Sequence, residues 1–135
     1  MEHAELTRKI DAYLEENWET MVEDIETLVR IPSFEESDKA TEGAPFGPGP
    51  KEALEAALEM ASDMGIQDAR CRGYIGFADF PGKSDTQLGI IGHMDVVPAG
   101  PGWNFEPYAV TRKEGYLVGR GTLDDKAPAW WRCTP

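Results

Sequence analysis

Apolar side chains recur every three or four residues at Leu6, Ile10, Tyr13, Leu14, Trp18, Met21, Val22, Ile25, Leu28 and Val29. That period predicts one long amphipathic helix whose stripe is core packing. Pro32 sets its end near Arg30-Ile31, because the residue before a proline is pushed out of the helical region. Residues 33–49 are polar and rich in Gly and Pro, and read as a loop. A second helix follows. Pro50 suits its first position, Leu54, Ala57, Leu58 and Ala61 form its apolar face, and Gly65 closes it. A phosphate-binding loop does not fit these glycines, since no Gly-Lys-Ser/Thr ending and no preceding strand are present.

Beyond residue 70 the pattern changes to that of strands. Residues 74–80 are β-prone, and Pro81-Gly82-Lys83-Ser84-Asp85 is a turn. Leu88-Gly89-Ile90-Ile91-Gly92 is short and apolar on both faces, as a central sheet strand is. A hairpin is expected from Tyr108–Arg112 and Tyr116–Gly119, flanking Lys113-Glu114-Gly115. Two helices followed by several strands predict an α/β fold, a mixed sheet packed with helices.

Composition narrows the function. The chain has 135 residues, 41% hydrophobic and 28% charged, which suits one globular domain. Its formal net charge of -12 argues against a nucleic-acid partner, which would need clustered Lys and Arg. The N-terminus lacks the pattern of a secretory signal, and no apolar run approaches the roughly 18 residues of a membrane span. Cys71 and Cys133 lack metal-pair spacing and suggest no disulfide framework, so a cytoplasmic setting is expected.

Two clusters carry candidate chemistry. His93 and Asp95 lie just past the predicted strand end, where ligands collect in open α/β sheets. Two apart on an extended chain, they point to the same side. His93 can offer a ring nitrogen to a metal while Asp95 fixes its tautomer from behind. A structural histidine bonded to a nearby turn explains the pair equally well. The second cluster is Gly119-Arg120-Gly121-Thr122-Leu123-Asp124-Asp125-Lys126. Its glycines let the backbone turn tightly and present carboxylates, and one carboxylate can bridge two metal ions about 3.5–4 Å apart. A helix cap is the plainer explanation of the aspartates. Between the clusters, Trp103 reads as the anchor of a surface loop.

Taken together, Gly92-His93-Met94-Asp95-Val96-Val97-Pro98, the Gly-Trp at 102–103 and residues 119–126 closely resemble the dinuclear zinc peptidase family. That family contains PepV-type dipeptidases, carboxypeptidase G, and the acetylornithine and succinyl-diaminopimelate deacylases. Leu28-Val29-Arg30-Ile31-Pro32-Ser33 resembles its first helix end. Pro45-Phe46-Gly47-Pro48-Gly49-Pro50 resembles the loop of the PepV-type dipeptidases in particular.

The resemblance implies a zinc-dependent dipeptidase acting on small peptides, with two zinc ions, or Co or Mn in their place. His93 would ligate one zinc, Asp124 would bridge both, Asp95 would orient His93 in catalysis, and Asp125 would support them across a cis bond from Asp124. The mechanism it implies is metal-assisted amide hydrolysis with a glutamate general base. That glutamate and three further ligands lie downstream of Asp125 in the family. Residues 1–135 would then be the N-terminal portion of the catalytic domain, without its remainder or the lid domain, and inactive as written. The alternatives are an N-acyl deacylase or desuccinylase of the same family and, in another class, a non-catalytic interaction module.

This chain departs from the family after Lys126. Gly-Pro and an apolar helix would follow there, whereas Ala127-Pro128-Ala129-Trp130-Trp131-Arg132-Cys133-Thr134-Pro135 stands here. Trp130-Trp131 is encoded TGGTGG, which in a neighbouring phase gives Leu, Met or Val and then Val. The codons that follow then give Ala, Leu/Met/Val and Tyr/His, provided Arg132 is CGN. A single-base frameshift near codon 127 is therefore expected, as is a helix missing from one sheet face, with exposed apolar surface and aggregation. The alternative is a natural short protein whose aromatic tail packs for a purpose.

Overall fold

The computed structural model describes residues 2–132. Helix α1 (Glu2–Val29) follows the apolar period to its predicted end. Its two halves differ. Met21, Val22, Ile25, Leu28 and Val29 are buried, while Leu6, Ile10, Tyr13, Leu14 and Trp18 are exposed.

After a single 3₁₀ turn at Ser37–Lys39, helix α2 (Pro48–Asp63) begins two residues before the expected start. Pro48, not Pro50, takes the first helical position, where its missing N–H costs nothing. Gly65 closes the helix with φ +82, as predicted, and its N–H donates to Ser62 O at 2.9 Å. Ala57 and Ala61 pack on Ile25, Leu28 and Val29 of α1, and Ile66, Ala127 and Trp130 complete that core.

The strands form two separate antiparallel pairs within the α/β fold. Strand β1 (Gln67–Cys71) pairs with β2 (Gly76–Asp79), Arg70 opposite Phe77, with a register shift between Gln67 and Arg70. β1 was not expected, because Gln67-Asp68-Ala69-Arg70-Cys71 shows no apolar alternation. β2 is the shortened form of the stretch expected at 74–80. Strands β3 (Thr111–Lys113) and β4 (Tyr116–Val118) make the predicted hairpin in a tighter form. Lys113 pairs with Tyr116, so the loop is only Glu114-Gly115, at φ 51 and 82. Positive φ at both loop residues is the two-residue turn that matches strand twist.

The expected central strand at 88–92 does not form. Leu88 and Ile91 are 87% and 93% exposed, and the segment runs without a ladder partner among the described residues. An apolar central strand needs neighbours at its edges and layers on its faces, and these residues supply neither. The segment after Asp125 differs from expectation in the opposite sense. A short helix, α3 (Lys126–Trp131), forms and packs on α1. Trp130 is 1% exposed and its indole N–H donates to Asp24 Oδ2 at 3.0 Å. The Trp131 ring lies 6.0 Å from that of Trp18. Cys133 lies outside the described residues. Among those residues no helix is long and apolar enough to cross a membrane.

Candidate metal centre

Two loops meet at the candidate site, and one turn of chain holds both. The first loop, residues 92–96, is fixed by Ser33. This buried serine donates from Oγ to Met94 O at 2.6 Å, and its own carbonyl accepts from Val96 N–H at 3.1 Å. The second loop, residues 119–127, is fixed by Lys126. Its buried ammonium donates to Leu28 O and Ile31 O, both at 2.7 Å. Leu28 lies in the last turn of α1, where helical acceptors run short of intrahelical donors, and Ile31 lies two residues beyond it.

Glycine is required at two points. Gly121 has φ +97, and a Cβ there would meet the Lys126 side chain at 3.0 Å. A Cβ on Gly92 would lie 2.6 Å from Ala129 Cβ and 3.0 Å from Asp125 Oδ2. The two loops therefore touch backbone to side chain.

This arrangement brings His93 and Asp124 together, with 3.1 Å between His93 Nε2 and Asp124 Oδ1. On the other side of the ring, Nδ1 lies 3.0 Å from the backbone carbonyl of Asp95 and 3.4 Å from its Oδ1. Asp95 thus faces the imidazole, chiefly through its main chain rather than through the carboxylate expected from sequence. Asp125 follows a cis peptide bond from Asp124 and occupies the N-cap position of α3 without a side-chain cap bond. Its Oδ2 instead accepts the His93 backbone N–H at 3.4 Å. The helix-cap explanation therefore fits the position of Asp125 but not the use of its carboxylate.

The hydrogen bonds determine what can lie between His93 and Asp124. A carbonyl can only accept, so the bond to Asp95 O puts the ring proton on Nδ1. Nε2 of a neutral ring then presents a lone pair to a carboxylate oxygen, which is also an acceptor. That contact is favourable only with a positive centre between the two atoms, either a second ring proton or a metal ion. Burial pulls the His93 pKa down, but the Asp95 carbonyl, the Asp124 carboxylate and the two nearby negative charges outweigh it, so it lies above the usual imidazole value. The donor spacing also suits a metal. Zinc–nitrogen and zinc–oxygen bonds of about 2.0–2.2 Å at a tetrahedral angle give an edge of about 3.4 Å. His93 Nε2 and Asp124 Oδ1, at 3.1 Å, stand slightly closer than that edge. Among the described residues no group of three or more His, Cys, Asp or Glu is placed to hold a metal ion.

The site opens on one side. The Asp124 side chain is 87% exposed, and a cleft of about 420 Å³ reaches His93 and Asp95 between Leu54, Ile75, Ile90 and Trp130. On the far side the 96–109 loop is pinned as expected. Trp103 Nε1 donates to Ala99 O at 2.9 Å, and the Arg120 guanidinium lies 5.2 Å from the Trp103 ring. Sequence reasoning gave no role to Ser33 or Lys126. A serine after proline and a lysine after two aspartates carry no periodic signal, and only their burial reveals them.

Residues 89–130, which include both loops, match the family described as Peptidase family M20/M25/M40. The segment that carries both loops is thus similar to a family of peptidases. It is 42% identical over 112 residues to the Beta-Ala-Xaa dipeptidase of Lactobacillus delbrueckii subsp. lactis, covering 82% of this chain and 24% of that protein. Over 108 residues it is 40% identical to a Staphylococcus epidermidis protein named "Putative dipeptidase", covering 80% of this chain and 23% of that protein. The chain thus spans about a quarter of the length of these relatives.

Proposed function

We propose that this chain supplies the first part of the metal centre of a zinc-dependent dipeptidase, which hydrolyses the peptide bond of small peptides in the cytoplasm. The observation that carries the reading is the 3.1 Å approach of His93 Nε2 to Asp124 Oδ1, with Nδ1 already committed to the Asp95 carbonyl. His93 and Asp124 would hold the ion, zinc first and cobalt or manganese in its place. Asp124, with a second oxygen facing solvent, is the residue suited to bridge two ions. When bound, such ions polarise a scissile carbonyl and lower the pKa of a coordinated water.

The chain's own residues orient and pre-organise. Asp95 holds the ring proton on Nδ1 and keeps Nε2 available. Asp125 holds the His93 backbone from below. The names of the relatives and the loop at 45–50 favour dipeptidase over deacylase. Residues 1–135 are read as the N-terminal portion of the catalytic domain. Two protein donors are fewer than the three a catalytic zinc site uses, so weak metal binding and no peptide cleavage are expected of these residues alone.

Titration calorimetry with zinc tests the reading. Weak binding that disappears in both His93→Ala and Asp124→Asn supports it. Binding unchanged by both substitutions, or tight stoichiometric zinc with dipeptide cleavage by the 135-residue chain, overturns it.

A further inference from the structure

The turn at Ile31-Pro32-Ser33 is bonded to both halves of the site. It reaches one loop through Ser33, whose Oγ and carbonyl take Met94 and Val96 on either side of Asp95. It reaches the other through Ile31, whose carbonyl, with that of Leu28, accepts from Lys126. Neither side chain faces the cleft or the pair of donors, and both are 0% exposed. A lysine is seldom buried in this way, since removing an ammonium from water is costly unless it is bonded. Here the Leu28 carbonyl in the last turn of α1 and the Ile31 carbonyl just beyond it receive it, and the negative end of the helix macrodipole favours its charge. The last turn of α1 contains no basic residue of its own, so Lys126 supplies that charge from 95 or more residues away. The Lys126 stem crosses Gly121, where no Cβ obstructs it, and Ala127 N–H returns to Gly121 O at 3.2 Å. The loop carrying Asp124 is thereby closed upon itself and anchored at one point.

We propose that Lys126 and Ser33 are positioning residues. Through their shared anchor on residues 28–33, they set the separation of His93 Nε2 and Asp124 Oδ1. The proposal rests on the preceding reading of those two residues as metal donors, and its test separates the two. The chain has two histidines, His3 and His93, so the ring nitrogens of His93 are assigned by comparison with His93→Gln. Spectra are recorded without metal at one fixed pH for wild type, Lys126→Met and Ser33→Ala. Each variant is then titrated with cobalt(II), followed by its visible absorption.

In both variants the His93 Nε2 resonance should move toward its position in Asp124→Asn, while His3 stays in place. Cobalt affinity should fall roughly 10–100-fold, the usual cost of losing a group that orients a ligand. Ile66→Val, which loosens the same core from outside α1 and the turn, should leave the His93 resonance unmoved. Should Lys126→Met fail to fold, Ser33→Ala decides alone. Folded variants with an unshifted His93 resonance overturn the proposal. A shifted resonance in a protein whose wild type takes up no cobalt sustains the positioning role and removes the metal reading.

Discussion

Around the turn at residues 28–33, every kind of side chain finds a partner. Leu28 and Val29 pack in the core with Trp130, while Ser33 and Lys126 direct their polar atoms to carbonyls. From Leu88 to Ile91 the chain is just as apolar, yet its side chains face solvent and its backbone joins no ladder. Composition does not separate these regions. What separates them is whether the described residues provide the complementary surface. Apolar character states that a segment is to be buried; it does not provide what buries it.

The contrast can be broken most forcefully at Trp130. Its ring is buried and its indole N–H is bonded to Asp24, so Trp130→Ala should cost about 3–5 kcal/mol in urea unfolding. A cost below about 1 kcal/mol would mean that the C-terminal helix is not part of the core.

A smaller effect should come from pH. Burial pushes the Lys126 amine down to about 8 from its ordinary 10.5, against the pull of Asp95 and Glu52. Below pH 8 the group is charged in both folded and unfolded chains, and the desolvation cost is felt in full. Between 8 and 10.5 the folded chain has released the proton and the unfolded chain has not, so stability rises with pH across that window. The urea midpoint should climb from pH 7.5 to 9.5 in wild type and stay flat by comparison in Lys126→Met.

The least effect on stability is expected from Leu88→Ser with Ile91→Ser, within about 0.5 kcal/mol, because neither side chain is packed. The same pair should sharply reduce light scattering at high concentration if this strip drives self-association. An unfolding midpoint that fell substantially would show instead that the strip is held by contacts within the chain.

How much of this was legible in the sequence follows the same division. The long helix was readable because its period is written in consecutive residues and Pro32 marks its end. The hairpin was readable because Lys113-Glu114-Gly115 joins two β-prone runs, although Lys113 proves to be part of the ladder. The meeting of His93 and Asp124 was readable from the resemblance of the two motifs, and the fold brings them to 3.1 Å. The strand at 88–92 was misread because ladder pairing is a property of neighbours, not of the segment. β1 was missed because polar strands on an exposed sheet carry no alternation. The α3 helix was missed because six residues that include Pro128 are too few to display a helical period. Ser33 and Lys126 went unassigned because their partners, carbonyls on other elements, leave no trace in side-chain order.

The bonds that assemble the site join residues far apart along the chain. Ser33 and Met94 are 61 positions apart, and Lys126 and Leu28 are 98 apart. Loop-closure entropy must be met before either bond forms, and contacts of such separation come late in folding. During synthesis, α1 leaves the ribosome long before the residue that caps it. Until then the Leu28 carbonyl has the Ile31 N–H, at 3.3 Å, but not the ammonium. The approach of His93 to Asp124 can be fixed from both sides only once the lysine that follows the two aspartates has emerged.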